Sequence, residues 1–211
     1  MDTAQLIALA AALGWASGIR LYAVVLLTGL AGYFGLVELP QGLQVLQHPA
    51  VLTAAGFMCF MEFFADKIAY LDTLWDLVHT AIRIPAGAAL AAAVFGADHE
   101  SMAWMAAILG GGLAATSHIT KLTTRAAVNT SPEPFSNIAV SLVEDGFVVV
   151  MLWLAAAHPA VFAIALALSI AAAVLLLVLL FKFLRVVLRR LDELFHGHVP
   201  KVRYVQENPD R

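Results

Sequence analysis

Apolar residues run along this chain in long blocks separated by short polar breaks. Neither the strict alternation of a half-buried strand nor the narrow apolar stripe of a helix on a water-soluble core is the dominant pattern. A helix crossing the hydrocarbon of a bilayer needs about 20 mostly apolar residues. Six blocks approach that: Leu6–Leu36, Val51–Ala65, Ile84–Ala97, Ser101–Ser117, Ile138–Ala157 and Ala160–Leu184. The first is too long for one simple span, and the third is short and rich in alanine. The pattern predicts an all-α, polytopic transmembrane bundle of about six spans occupying residues 1–185. Residues 186–211 form a cytoplasmic tail, amphipathic over Val186–Phe195 and flexible beyond Gly197, with His196 and His198 idle in solvent.

Composition sharpens this picture. Of 211 residues, 62% are hydrophobic and 13% charged, with a mean hydropathy of +0.86. Soluble domains run at roughly 45–50% apolar and about 25% charged, so a water-facing surface cannot be assembled here. A single cysteine, Cys59, closes no disulfide within the chain. The net charge of −3 argues against a nucleic-acid partner. Met1–Gln5 lacks the basic start of a cleaved signal peptide. Lysine and arginine are absent from Glu38–Ala50, Asp98–Glu100 and His158–Pro159, whereas Lys67, Arg83, Lys121, Arg125 and the segment after Lys182 supply them. The positive-inside rule then predicts cytoplasmic location of both termini. Only Arg20 escapes the scheme.

Charge inside a membrane is costly, about 2.5–3.5 kcal/mol at the bilayer centre on insertion scales, so each such residue calls for a partner, water or a task. Arg20 lies in Gly14-Trp15-Ala16-Ser17-Gly18-Ile19-Arg20, where two glycines and a serine predict a kinked or broken helix with freed backbone groups. Glu62 and Asp66, four apart, share a helix face. After a turn near Ala69–Tyr70, the residues Asp72, Asp76, His79 and Arg83 form one helical stripe. That stripe meets water if the helix lies along the interface, or a cavity if it re-enters the protein. His118, Lys121, Arg125 and Asn129 form a complementary stripe. The run Asn129–Asn137, with Pro132 and Pro134, then interrupts the helix, with Ser131 as the cap of the next one. Asn137, Ser141, Glu144 and Asp145 carry a polar face onward. An acid-rich and a base-rich stripe invite mutual ion pairing, which by itself is a purely structural role.

A short internal similarity links Ala16–Leu21 with Thr116–Leu122, each followed by a span bearing acids, Glu62/Asp66 and Glu144/Asp145. Three spans per half, residues 1–97 and 98–185, predict a three-plus-three inverted repeat with broken or re-entrant helices, the plan of many transporters.

The motifs Ala16-Ser17-Gly18-Ile19-Arg20-Leu21-Tyr22, Glu62-Phe63-Phe64-Ala65-Asp66-Lys67, Leu71–Arg83, Ser131-Pro132-Glu133-Pro134-Phe135-Ser136-Asn137 and Ser141-Leu142-Val143-Glu144-Asp145 resemble the bacterial membrane-protein family DUF4126. The resemblance covers roughly residues 5–180, and Ser131–Asn137 is its most specific element. It implies a bacterial inner-membrane location and no particular activity.

Three functions fit the residues. The first is a transporter or channel for a small ion or solute. Here Arg20, Glu62, Asp66, Asp72, Asp76, His79, Arg83, His118, Lys121, Arg125, Asn129, Glu144 and Asp145 form an intramembrane site, proton- or cation-coupled. The second is a membrane-embedded enzyme in which Asp76, His79, His118 and Glu144 hold a divalent metal. The third is a non-catalytic scaffold or complex subunit, with small-residue runs at Ala86–Ala93 and Gly110–Ala115 serving internal packing or a homo-oligomer. No cofactor motif is evident, and the lipid bilayer is the one partner common to all three.

Overall fold

The computed structural model describes residues 1–68, 71–129 and 134–196. The expected turn at Ala69–Tyr70, the Ser131 cap and the flexible tail lie outside these residues. Among the described residues the regular structure is helical: α1 (Thr3–Tyr33), α2 (Pro49–Ala65), α3 (Leu71–Ala93), α4 (Glu100–Val128), α5 (Pro134–Ala157) and α6 (Pro159–His196), with 3-10 turns at Gln41–Gln47 and Ala97–His99. By length and composition α1, α4, α5 and α6 can each cross a membrane, and the Gln41–Gln47 turn with α2 makes a further stretch bent by 69°.

The third expected span, Ile84–Ala97, instead falls on the second half of α3 and the turn after it, and Ser101–Ser117 is only the first part of α4. Both helices continue through their charged stripes because those stripes face inward. On α3, Asp72, Asp76, His79 and Arg83 are buried, whereas Leu74, Leu77, Val78 and Ile82 are exposed. A helix lying at the water interface would place these faces the other way round, so the interfacial expectation fails. Apolar outside and charged inside suits a lipid surround. At 23 residues, α3 is about 35 Å long.

The largest departure concerns α1. Its backbone leaves helical geometry at Arg20, with φ −143° and ψ 74°. On one side of that break, Gly14 lies against Gly110 and Gly87 lies against Gly14 and Ser17. On the other side, Leu21, Tyr22 and Val25 line one groove with Ala86, Ala89 and Leu90. Residues 14 and 25 would stand about 16 Å apart along a straight helix, yet both flank the same turns of α3. Further along, Gly29 meets Leu46 and Leu52, and Gly42 meets Ala93 near the end of α3. The chain therefore descends through residues 3–19, turns at Arg20 and climbs back through 21–33. α1 is a re-entrant hairpin, not one long crossing.

Two expectations fall with it. The first arm of α1 and the N-terminal part of α4 run in the same direction, Gly14 opposite Gly110 and Gly18 opposite Ala114 and Ser117. The similar segments Ala16–Leu21 and Thr116–Leu122 are thus parallel neighbours, and they do not form the inverted pair. Likewise, α1 starts at the end of the bundle where α4 starts. α5 runs back toward that end, since Lys121 faces Glu144 and Arg125 reaches Asn137. α6 then carries the chain away again. The start of α1 and the end of α6 lie at opposite ends of the bundle, contrary to termini on one side.

Where α1, α3 and α4 cross, the helices nearly touch. A Cβ added at Gly14 would lie 2.6 Å from Gly110 Cα, and one at Gly87 would lie 2.6 Å from Ala114 Cβ. Small residues let backbones approach this closely, which replaces the hydrophobic driving force missing between helices in lipid. The runs Ala86–Ala93 and Gly110–Ala115 thus serve packing within the molecule.

Candidate functional site

Breaking a helix in the membrane frees carbonyls that must find donors. At the tip of α1 the donors come from α4. Ser117 Oγ donates to Trp15 O at 2.7 Å, the His118 ring nitrogen Nδ1 lies 3.2 Å from Gly18 O, and Lys121 Nζ donates to Ile19 O at 3.2 Å. The base-rich stripe of α4 therefore stabilises the break and presents its remaining charge to the acids beyond.

Those acids converge. Asp66, the C-cap of α2, meets Arg20 at 2.6 Å, Lys121 at 3.0 Å and Arg125 at 3.6 Å. Lys121 is shared with Asp76 at 3.2 Å and Glu144 at 3.8 Å. Arg83 bridges Glu62 and Asp76, the latter at 2.6 Å. Arg125 grips both Glu144 oxygens at 3.2 and 2.7 Å and donates to Asp66 O at 2.8 Å. Arg20 also reaches Asp145 at 3.0 Å and Ser141 Oγ at 2.8 Å. Asp72 accepts from Asn129 at 3.0 Å, and Asn129 in turn accepts from Asn137 at 2.8 Å. His118 lies 2.7 Å from Thr80 Oγ1 and 3.3 Å from Arg83. His79 stands beside the network, its Nδ1 on Trp75 O at 2.7 Å and its ring between Trp75 and Tyr22. Residues expected to act together from both halves of the chain thus form one connected network of ion pairs and hydrogen bonds around the tip of α1, the ionic chamber of the bundle.

Besides Asn137 and Thr80, two further participants were not among the site residues expected from sequence. Ser141 is fully buried and accepts from Arg20. Lys67 donates to Phe63 O and Ser141 Oγ. Desolvation holds its ammonium below the usual lysine range, against an opposing pull from Asp145. Helical spacing sets Ser141 on the polar face with Glu144 and Asp145 without assigning it a role in the site; Lys67 carries no local signal beyond its place after Asp66.

The ionic inventory does not cancel. Six carboxylates (Glu62, Asp66, Asp72, Asp76, Glu144 and Asp145) face four paired cations, and Lys67 makes a fifth. Glu62 Oε2, Asp66 Oδ1 and Asp76 Oδ2 are buried without a hydrogen-bond partner. Burying an ion costs several kcal/mol even after relaxation, and pairing offsets this only with good geometry. Counted in their ordinary ionised forms, these acids outnumber these bases by one. The chamber meets its surroundings at Glu144 and Asp145, 12% and 32% exposed, while its other acids are essentially sealed.

The expected metal set does not form. Among the described residues no three histidine, cysteine, aspartate or glutamate side chains gather so as to hold a metal ion. Asp76 and Glu144 are taken by Arg83, Lys121 and Arg125, and His79 by a carbonyl. Guanidinium and ammonium groups stand where a divalent ion would have to sit.

No curated protein and no solved structure matches the chain. A family model, domain of unknown function DUF4126, matches residues 7–179. That match spans most of the sequence and every helix that builds the chamber, and the chain belongs to this family.

Proposed function

We propose that the protein is an inner-membrane transporter for a small ion or solute, coupled to protons or another cation through the chamber around Arg20. The observation that carries this reading is the re-entrant α1, whose broken tip meets acids from α2 and α5. Broken helices meeting within the membrane are where many transporters bind their cargo. The shared cations supply a coupling device. Lys121 has three carboxylates within 4.0 Å and Arg20 has three. Protonating one acid, or pairing it with a cation, frees a base for another and shifts the balance between α2, α3 and α5. In this reading α2 to α6 cross the membrane and α1 dips into it. The Lys/Arg-rich end with Lys67, Lys182, Arg185, Arg189 and Arg190 faces the cytoplasm, and the start of α1 faces the opposite side.

The test is flux into proteoliposomes with trapped pH dye, to which sodium, potassium, phosphate, glycine or tetraethylammonium is added in turn. At least one should give a pH change above protein-free vesicles, and Asp66→Asn and Glu144→Gln should each reduce it more than tenfold while remaining monodisperse. No response to any of them, or unchanged flux in both variants, overturns the reading. It would favour a structural role, to which the thorough pairing of Arg83 and Arg125 is suited.

A further inference from the structure

Arg20, Arg83, Lys121 and Arg125 each hold carboxylates, but a second group of cations does not. Lys182, Arg185, Arg189 and Arg190 fall close together near the end of α6. All four are exposed, and none forms an ion pair among the described residues. The sequence holds no acid between Asp145 and Asp192. Asp192 and Glu193 come next and can offset at most Arg189 and Arg190, because Lys182 and Arg185 stand about 10 Å or more further back along the helix. Lys182, Arg185 and Arg189 are spaced by three and four, so they share one face. The Arg185 guanidinium lies 4.8 Å from the centre of the Phe181 ring, a cation–π contact that steadies the charge on an otherwise apolar surface.

The other helices leave this face uncovered. From Val174 to Arg190 every residue of α6 is exposed or, at Leu177, Leu180 and Val187, half-buried. α6 begins after His158, at the end of the bundle where α1 and α4 begin. Counted from Pro159, Lys182 to Arg190 lie about 35–47 Å along the helix axis. The hydrocarbon of a bilayer is about 30 Å thick, and the whole bilayer about 40–45 Å with its headgroups. An α6 that enters the membrane at Pro159 therefore delivers the four cations to the headgroup layer of the far leaflet.

From this we infer that the free end of α6 is a binding site for anionic phospholipid, its phosphate on Lys182 and Arg185 and its acyl chains along Phe181 and Leu184. Basic residues where a helix leaves the hydrocarbon attract acidic lipid, and the guanidinium fork of Arg185 matches a phosphate group. The inference goes beyond the transport reading and needs only that α6 crosses the bilayer.

Energy transfer from a donor dye on the full chain, with Cys59 changed to serine, reads which lipid gathers at a chosen position. The donor sits on a cysteine replacing Leu188, in vesicles of mixed phosphatidylglycerol and phosphatidylcholine carrying a trace of acceptor on the acyl chain of one or the other. A donor at Gln44, toward the opposite end, supplies the reference. Phosphatidylglycerol should be enriched over phosphatidylcholine at position 188 by about threefold or more. Raising salt from about 0.1 M to about 1 M, which shortens the screening length from about 10 Å to about 3 Å, should remove most of that. Lys182→Gln combined with Arg185→Gln should bring the ratio close to the reference, whereas Lys182→Arg should keep it. Neither position pairs with the chamber, so an unchanged melting temperature separates lost binding from a folding defect. Equal ratios at positions 188 and 44 overturn the proposal and leave the basic end to a soluble acidic partner; enrichment that survives the double neutralisation overturns it too. Lipid enrichment without solute flux would sink the transport reading alone, and flux without enrichment would sink only this one.

Discussion

The two halves of the bundle solve the same problem, holding helices together in lipid, by opposite means. Toward the end where α1 and α4 begin, Gly14, Gly87 and Gly110 with Ala91 and Ala114 bring backbones into contact. Toward the other end, the same three helices with α2 and α5 meet through arginine, lysine and carboxylates. Arg20 marks the border. The small-residue half gains stability from close contact and carries no ionisable group at its crossing, so its role is to seal. The ionic half places charges in low dielectric, where replacing them by well-fitted apolar side chains is often neutral or stabilising. A region kept at that cost is where chemistry that depends on charge should be sought.

Four perturbations would break or sharpen this contrast. The largest effect is expected for Arg83→Leu, which removes the partner that Glu62 and Asp76 share and leaves Asp76 to Lys121 alone. Thermal unfolding should report a loss of about 3–5 kcal/mol. Converting Glu62 to Leu in the same chain should recover part of it; no recovery would mean that pairing is not what Arg83 provides. Next, Gly14→Leu forces a side chain into Gly110. A loss of about 2–3 kcal/mol is expected from overpacking, read as a lower melting temperature without any change in pH response. A smaller effect, about 1–3 kcal/mol for a buried acceptor system left short of a donor, is expected for Ser117→Ala, which removes the bond to Trp15 O and loosens the break. Smallest is Lys67→Gln. Its half-buried position and its two hydrogen bonds, which an amide can partly replace, predict a change under about 1 kcal/mol in melting measurements, and a larger one would show that Lys67 belongs to the chamber's core.

Much of the chamber was legible in the sequence because helical periodicity is a local signal. The spacings within Asp72–Arg83 and His118–Asn129 place each stripe on one face wherever the helix lies, and charge complementarity pairs them. The break at Arg20 was legible too, from glycine, serine and a charge inside an apolar block. The direction of the chain after that break was not. Apolar length measures compatibility with lipid, and a hairpin dipping into the membrane is as apolar as a helix passing through it. From that single ambiguity came the misplaced N-terminus and the inverted repeat. The metal set failed for a different reason. Asp76 and His79 share a face by spacing, but spacing does not tell that Arg83 and Lys121 occupy the positions a metal would need.

The re-entrant path of α1 is the point on which the chamber, the topology and the transport reading all depend. Single cysteines at Thr3, Gln44 and Arg185, introduced with Cys59 changed to serine, can be labelled with a membrane-impermeant maleimide in sealed vesicles of known orientation. Cysteines at positions 3 and 44 should react from the same face and position 185 from the opposite one. Labelling of positions 3 and 44 from opposite faces would make α1 a simple crossing and contradict the fold-back at Arg20.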